Sequence, residues 1–310
     1  MSKPVILNAA ELPQRTQAEL ASLFTVLDLP RQPDDAKAFF AQHGASIRGI
    51  ALRKTKIDAA FLDALPSLEI IASYSAGLEN LDVQHATARG IRIENASRVL
   101  AEDVANTAIG LALAVTRDIV QADAWVRSGN WAQHGAMPLG RSLSRMKVGI
   151  VGLGTIGAAI AKRLAAFGSQ VAYYGPNRKN VDLPYYDDVT RIAVDSDMLI
   201  LTCPLTPQTH HLVNAAVLDA LGPQGFLVNI ARGAVVDEPA LVAALAERRI
   251  AGAALDVFEH EPRVPQALID NPRVVLAPHI GSATEETRTG MADNVVDSLA
   301  NHFGIAGPRA

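Results

Sequence analysis

Along the first hundred residues, short β-rich apolar runs alternate with amphipathic stretches. The runs are PVIL, FTVLDL, IRGIAL and LEIIASYSAG, each bounded by turn residues, and helical spacing covers Asp34–His43 and Asp58–Leu65 between them. Alternation of this kind predicts a small α/β unit with a parallel sheet. From Val148 the pattern changes, and VGIV, VAYY, MLILTC, FLVNIA, AGAALDVF and VVLAPH are continuous apolar runs. Runs without polar alternation are expected where helices cover both faces of a parallel sheet. The helical segment Ile156–Phe167 puts Ile156, Ile160, Leu164 and Phe167 on one stripe, so a doubly wound sheet is predicted. Between the two regions lies a long helical stretch, Glu102 to Gly129, whose early part is apolar nearly all round and is expected to be buried. The final helix, Ser282–Phe303, is expected to return to the first unit, which makes the second unit an insertion within it.

Composition narrows the class. The chain has 310 residues, 49% hydrophobic and 19% charged, which suits one large or two ordinary domains and excludes a disordered chain. A formal net charge of −4 argues against a nucleic-acid partner. Cys203 is the only cysteine, so no intrachain disulfide can form and a reducing compartment is expected. The start MSKPVILNAA does not read as a signal peptide, and the apolar run around Val148–Ala161 is too interrupted to span a membrane. A soluble cytoplasmic protein is the expectation.

The stretch VGIVGLGTIG reads as a strand entering a glycine turn and then a helix. Gly152, Gly154 and Gly157 match G-x-G-x-x-G around Leu153, Thr155 and Ile156. In a dinucleotide site the first glycine permits a tight turn, the second lets a pyrophosphate approach the backbone, and the third lets helix and strand pack closely. The helix N-terminus offers free N–H groups and the positive end of its dipole to phosphates. A ligand-free structural turn would use the same glycines, but the flanking strand and helix favour a dinucleotide. An NAD site carries Asp or Glu about 20 residues past the first glycine. Here the chain reads VAYYGPNRKN, with no acid before Asp182 and with Arg178 and Lys179 in the turn. A carboxylate would repel a 2′-phosphate, whereas these cations pair with one. NADP(H) is therefore expected ahead of NAD(H), against the alternative of an ordinary solvated basic turn.

Three later segments hold polar groups at the ends of buried strands, where open α/β sheets place their chemistry. They are VNIARGAVVDE with Arg232, ALDVFEHEP with Asp256 and Glu261, and VVLAPHIGSAT with His279. Taken in order with the glycine turn, these motifs closely resemble the D-isomer-specific 2-hydroxyacid dehydrogenases over essentially the whole chain. The loop SYSAGLENLDV, the missing acid after VAYY and the basic turn resemble their glyoxylate, hydroxypyruvate and 2-ketogluconate reductase branch. NADP-using members often carry Arg soon after the tyrosine pair, where this chain has Pro176.

The resemblance implies a two-domain α/β fold, in which a doubly wound Rossmann parallel sheet (101–283) is inserted into a smaller flavodoxin-like α/β substrate domain (1–100 and 284–310). It implies NADPH-dependent reduction of small 2-oxo acids, phenylpyruvate among the bulkier ones, to D-2-hydroxy acids. His279 is suited to give the proton because imidazole titrates near neutral pH, and Glu261 would hold one ring tautomer. Arg232 would hold the substrate carboxylate and polarise the carbonyl with its permanently charged fork. Asp256 would meet the nicotinamide carboxamide. Ser75, Ala76 and Gly77 would bind the substrate carboxylate through their backbone, and Leu52 would line the pocket. The cofactor site would extend to Val104, Asn177, Cys203, Pro204, Thr209, Ile230, Ala231 and Gly281. A homodimer through the Rossmann domain is implied, with Trp131 in the interface and His134 near the position that reaches a partner's site.

Duller readings stand beside these. Arg232 and Glu261 could form a structural ion pair, and Cys203 has no base beside it to make it a nucleophile. His210 and His211 suggest a metal, but no ligand set with suitable spacing accompanies them, so none is expected. A cofactor-sensing binding protein of the corepressor type would share the fold, although no extension or basic face of the first unit points to that role.

Overall fold

The apolar runs of the first hundred residues become parallel strands β1 (Val5–Ala9), β2 (Thr25–Asp28), β3 (Ile47–Leu52) and β4 (Ile70–Ser73), joined by β5 (Arg92–Glu94). They pair in the order β2-β1-β3-β4-β5, the flavodoxin-like order. The computed structural model describes residues 3–307. It divides into two compact units, one made of 1–100 with 284–310 and the other of 101–283. The C-terminal helix Glu285–His302 belongs to the first unit, where it packs on β4. Its buried Met291, Val295, Val296 and Leu299 recur at helical spacing. Gly49 makes room for that packing, since a Cβ there would lie 3.1 Å from Leu299.

The second unit carries β6 (Lys147–Val151), β7 (Gln170–Tyr174), β8 (Tyr185–Tyr186), β9 (Met198–Leu201), β10 (Phe226–Asn229), β11 (Gly252–Leu255) and β12 (Val274–Leu276). All pair in parallel in the order β12-β11-β10-β9-β6-β7-β8, the dinucleotide-binding order with one further edge strand. Every residue of β9, β10 and β11 is buried, which is why these strands read as unbroken apolar runs.

Three departures from the predicted elements are seen. The predicted stretch Glu102–Gly129 is two helices, Ser97–Thr116 and Ile119–Arg127, parted at Asp118, whose backbone is left-handed at φ 50°. The carbonyl of Thr116, the last residue of the first helix, accepts the Arg141 N–H at 2.7 Å. The helix Thr155–Phe167 keeps Ile160 and Leu164 inside, but Phe167 at its last turn is exposed. Strands β5 and β8 were not among the predicted runs. Helix Ser97–Thr116 is long and apolar enough to cross a membrane (mean hydropathy 1.4), yet 56% of that window is buried inside the protein, as in a core helix.

Candidate active site

Parallel strands share a direction, so the turns after β6, β9, β10, β11 and β12 line one edge of the second sheet. They carry Gly152, Cys203, Arg232, Asp256 and His279 respectively. The chain order reverses between β6 and β9, and there Gly152 abuts the Cys203 backbone. A Cβ on Gly152, whose φ is 102°, would sit 2.8 Å from Cys203 N and Cα. A Cβ on Gly157 would lie 2.3 Å from the Gly152 carbonyl oxygen, so helix and turn are in backbone contact. Gly154 is different, with nothing within 4 Å of where a Cβ would project. No side chain caps helix Thr155–Phe167, and the Ala158 N–H bonds Gly154 O at 2.9 Å as its ladder begins. An open approach beside Leu153, Thr155 and Ile156, facing an uncapped helix end, fits a dinucleotide pyrophosphate.

Beyond β7, Asn177, Arg178 and Lys179 form an exposed turn, and neither cation has an ion-pair partner among the described residues. Beyond β9, burial pushes the Cys203 thiol up to about 11, which suits packing and not nucleophilic attack. Thr209 is committed within its own loop: its hydroxyl donates to Pro204 O at 2.6 Å and accepts the Thr206 N–H at 2.8 Å.

The turn after β10 is shaped by Asn229, a buried amide at the end of an apolar strand. Its Oδ1 accepts the Ala231 N–H and its Nδ2 donates to Arg232 O, both at 3.0 Å. Gly233 then packs directly on the loop after β11, where a Cβ would fall 1.9 Å from the Phe258 carbonyl carbon. That contact brings the Arg232 and Glu261 loops together. Arg232, Glu261 and His279 line one cleft of about 770 Å³, with Leu205, Phe258 and Arg263 among the other walls. His279 Nδ1 lies 2.8 Å from Glu261 Oε2, and Glu261 Oε1 accepts the Phe258 N–H at 3.2 Å. The His279 backbone is left-handed at φ 55°, a strained conformation of the kind found at functional sites.

Asp256 holds that conformation. It is 1% exposed, and its two oxygens accept the Ile280 N–H at 2.7 Å and the Gly281 N–H at 2.9 Å. Burial pushes its carboxyl above the ordinary carboxylate range, and these two N–H bonds oppose the shift. This latch on the His279 turn is a task that sequence reading missed. Gly281 closes the group, since a Cβ there would lie 3.0 Å from Asp256 Oδ2, 3.3 Å from Ile230 and 3.6 Å from Val104.

In the first unit, Ser75, Ala76 and Gly77 follow β4 and are half-buried, with Asn95 Nδ2 donating to Ala76 O at 3.0 Å. Leu52 is 0% exposed at the end of β3 and packs among Leu7, Ile50 and Ile71, so it supports the sheet. The expectation that no ligand set accompanies His210 and His211 is corrected, because the fold brings Glu259 beside them as a third candidate ligand. Glu259 Oε1 lies 2.9 Å from His211 Nε2, while the two rings stack at 4.0 Å and 26°. His211 and Glu259 form a hydrogen-bonded pair with the His210 ring stacked beside it. Trp131 is 61% exposed, and the His134 ring lies 5.9 Å from that of Trp125.

A glycine turn at the head of a doubly wound sheet, with an imidazole–carboxylate pair and a guanidinium in one cleft, defines a nicotinamide-dependent dehydrogenase. Residues 109–281 match the family model described as D-isomer specific 2-hydroxyacid dehydrogenase, NAD binding domain. Over 91% of its length the chain is 47% identical to hydroxyphenylpyruvate reductase from Plectranthus scutellarioides, covering 89% of that protein. It is 42% identical to 2-ketogluconate reductase from Gluconobacter oxydans, covering 97% of this chain and 96% of the relative. Among solved structures, NADPH-dependent glyoxylate/hydroxypyruvate reductase from Sinorhizobium meliloti, in complex with NADP and malonate, superposes with a TM-score of 0.83. The two are 44% identical, over 96% of this chain and 93% of that one. The chain therefore belongs to the D-isomer specific 2-hydroxyacid dehydrogenase family and is an NAD(P)-dependent enzyme of its reductase branch.

Proposed function

We propose that the protein reduces small 2-oxo acids to D-2-hydroxy acids, with NADPH preferred over NADH and His279 as the general acid. The observation that carries this reading is the 2.8 Å His279–Glu261 contact in the cleft that Arg232 also lines. When bound, the nicotinamide supplies hydride to the carbonyl carbon. The residues of the chain do the rest. Glu261 engages Nδ1, which leaves Nε2 as the ring atom that gives its proton to the carbonyl oxygen. Arg232 holds the substrate carboxylate and stabilises charge growing on that oxygen. Gly152, Gly154 and Gly157 shape the phosphate turn, and Arg178 with Lys179 pairs with the 2′-phosphate. The NADPH preference is supported by this unpartnered cation pair and by the missing acid after β7.

The experiment is a steady-state comparison of NADPH with NADH over glyoxylate, hydroxypyruvate, hydroxyphenylpyruvate and 2-ketogluconate. Higher kcat/KM with NADPH on at least one acid is expected, and no turnover of any would overturn the reading in favour of a cofactor-sensing role. His279→Ala should lower kcat by about a hundredfold or more while NADPH affinity stays within a few-fold. A near-wild-type rate would remove His279 from the acid role. The same reading includes a homodimer through the second unit, supported by exposed Ile119, Val120, Val126, Trp131 and Leu139.

A further inference from the structure

The turn that carries Arg178 and Lys179 lies in a ten-residue connection, 175–184, that contains no helix. An exposed segment of this kind would let its cations swing, and ordering them on binding would weaken affinity. Two tyrosine hydroxyls oppose that freedom. Tyr173, near the end of β7, is 1% exposed, and its hydroxyl accepts the Lys179 N–H at 2.7 Å and points at Lys179 O, 3.4 Å away. Tyr185, which opens β8, donates its hydroxyl to Gly175 O at 3.0 Å. The first contact grips the far side of the turn and the second grips its start. The two residues are register partners across β7 and β8, and their rings meet at 5.3 Å and 45°.

Strand alternation gives this pair a distinct face. Tyr174 and Tyr186 pack against the apolar core, and Tyr174 O accepts the Gly152 N–H at 2.9 Å. One strand end therefore fixes the glycine turn through its backbone and the basic turn through a phenol. Phenylalanine would fill the same interior space as Tyr173. The hydroxyl adds only its bonds to the residue beside Arg178, and a buried hydroxyl is retained where it is satisfied.

We propose that Tyr173 and Tyr185 are positioning residues for cofactor selection, holding Arg178 and Lys179 in place for the 2′-phosphate of NADPH. This rests on the NADPH reading above. The test is calorimetric binding of adenosine 2′,5′-bisphosphate and adenosine 5′-monophosphate to the full chain, comparing wild type with Tyr173→Phe, Tyr185→Phe and Arg178→Ala. Each lost hydroxyl should raise the bisphosphate Kd by about three- to tenfold, with the monophosphate Kd changing by less than twofold. The KM ratio of NADPH to NADH should rise in parallel. A merely structural role would weaken both nucleotides equally, and that result overturns the proposal. Should Arg178→Ala abolish the bisphosphate advantage while both phenylalanine variants keep it, the tyrosine assignment fails alone. Should Arg178→Ala keep the advantage, the basic turn does not bind the 2′-phosphate and the tyrosine assignment falls, whereas a wild type with no bisphosphate advantage overturns the NADPH reading itself. If Tyr173→Phe does not fold, Tyr185→Phe decides by the same ratio, because Tyr185 is the less buried residue.

Discussion

Gly233 has no room for a side chain. Alanine there would drive a methyl group into the Phe258 peptide, whose carbonyl oxygen lies 2.0 Å from the Cβ position. Gly233→Ala should cost on the order of 1–3 kcal/mol of stability and part the Arg232 loop from the Glu261 loop. Thermal melting combined with kcat/KM checks this, and wild-type values for both would contradict the backbone-contact account. Cys203 makes a second residue-level prediction. With its thiol pushed up to about 11 by burial, the thiolate at pH 8 is about a thousandth of the total. Iodoacetamide should label the native protein at least a hundredfold more slowly than the denaturant-unfolded chain, followed by mass spectrometry. For an acid whose folded value is raised, the stabilisation is complete below its ordinary value of 9.0 and is lost as pH rises through about 11. Neither the Gly233 contact nor the left-handed turn at His279 is legible in sequence, since each depends on a segment far along the chain.

Elements show where local pattern suffices. Runs buried on both faces were readable because no polar residue interrupts them, and the glycine turn was readable because strand and helix flank it. Strand β8 has only two residues and exists through its pairing with β7, so it carries no periodicity of its own. The break at Asp118 was hidden because the apolar pattern continues past it. The C-terminal helix is tied into its unit by a contact network that no motif announces. Arg48 Nε lies 2.5 Å from Glu69 Oε1, His302 Nε2 lies 3.1 Å from Glu69 Oε2, and the Arg48 guanidinium sits 4.9 Å from the Phe303 ring centroid. The hydrogen bond from Arg48 holds the Glu69 carboxyl below the usual value, with His302 adding to it and burial opposing. A lowered carboxylate stabilises above its unfolded value of about 4.5, and that stabilisation is lost as pH falls through the folded value. Both partners are well exposed, so Glu69→Gln should lower Tm by only about 1–3 °C at pH 7. The difference from wild type should vanish in acid, and a Tm gap that persists at pH 3 would rule out the carboxylate as its source.

At the scale of the whole molecule, the meeting of Arg232, Glu261 and His279 in one cleft was legible because they follow successive strands whose motifs stand in order along the chain. The role of Asp256 as a latch was not, because the N–H groups it binds lie 24 and 25 residues away. The exposed apolar residues from Ile119 to Leu139 support association of two copies. Light scattering after size exclusion should give about twice the 32.9 kDa chain mass, and Val120→Glu with Trp131→Glu should halve it. A wild-type chain that runs as a monomer at micromolar concentration would overturn the dimer.

The division of the first unit into 1–100 and 284–310 also bears on how the polypeptide is made. A ribosome finishes the dinucleotide sheet before it releases the helix that covers β4, so the earliest-synthesised strands are completed last. Nascent chains stalled before residue 285 should leave the β3–β4 face bare to chaperones, while the interior unit already resists protease.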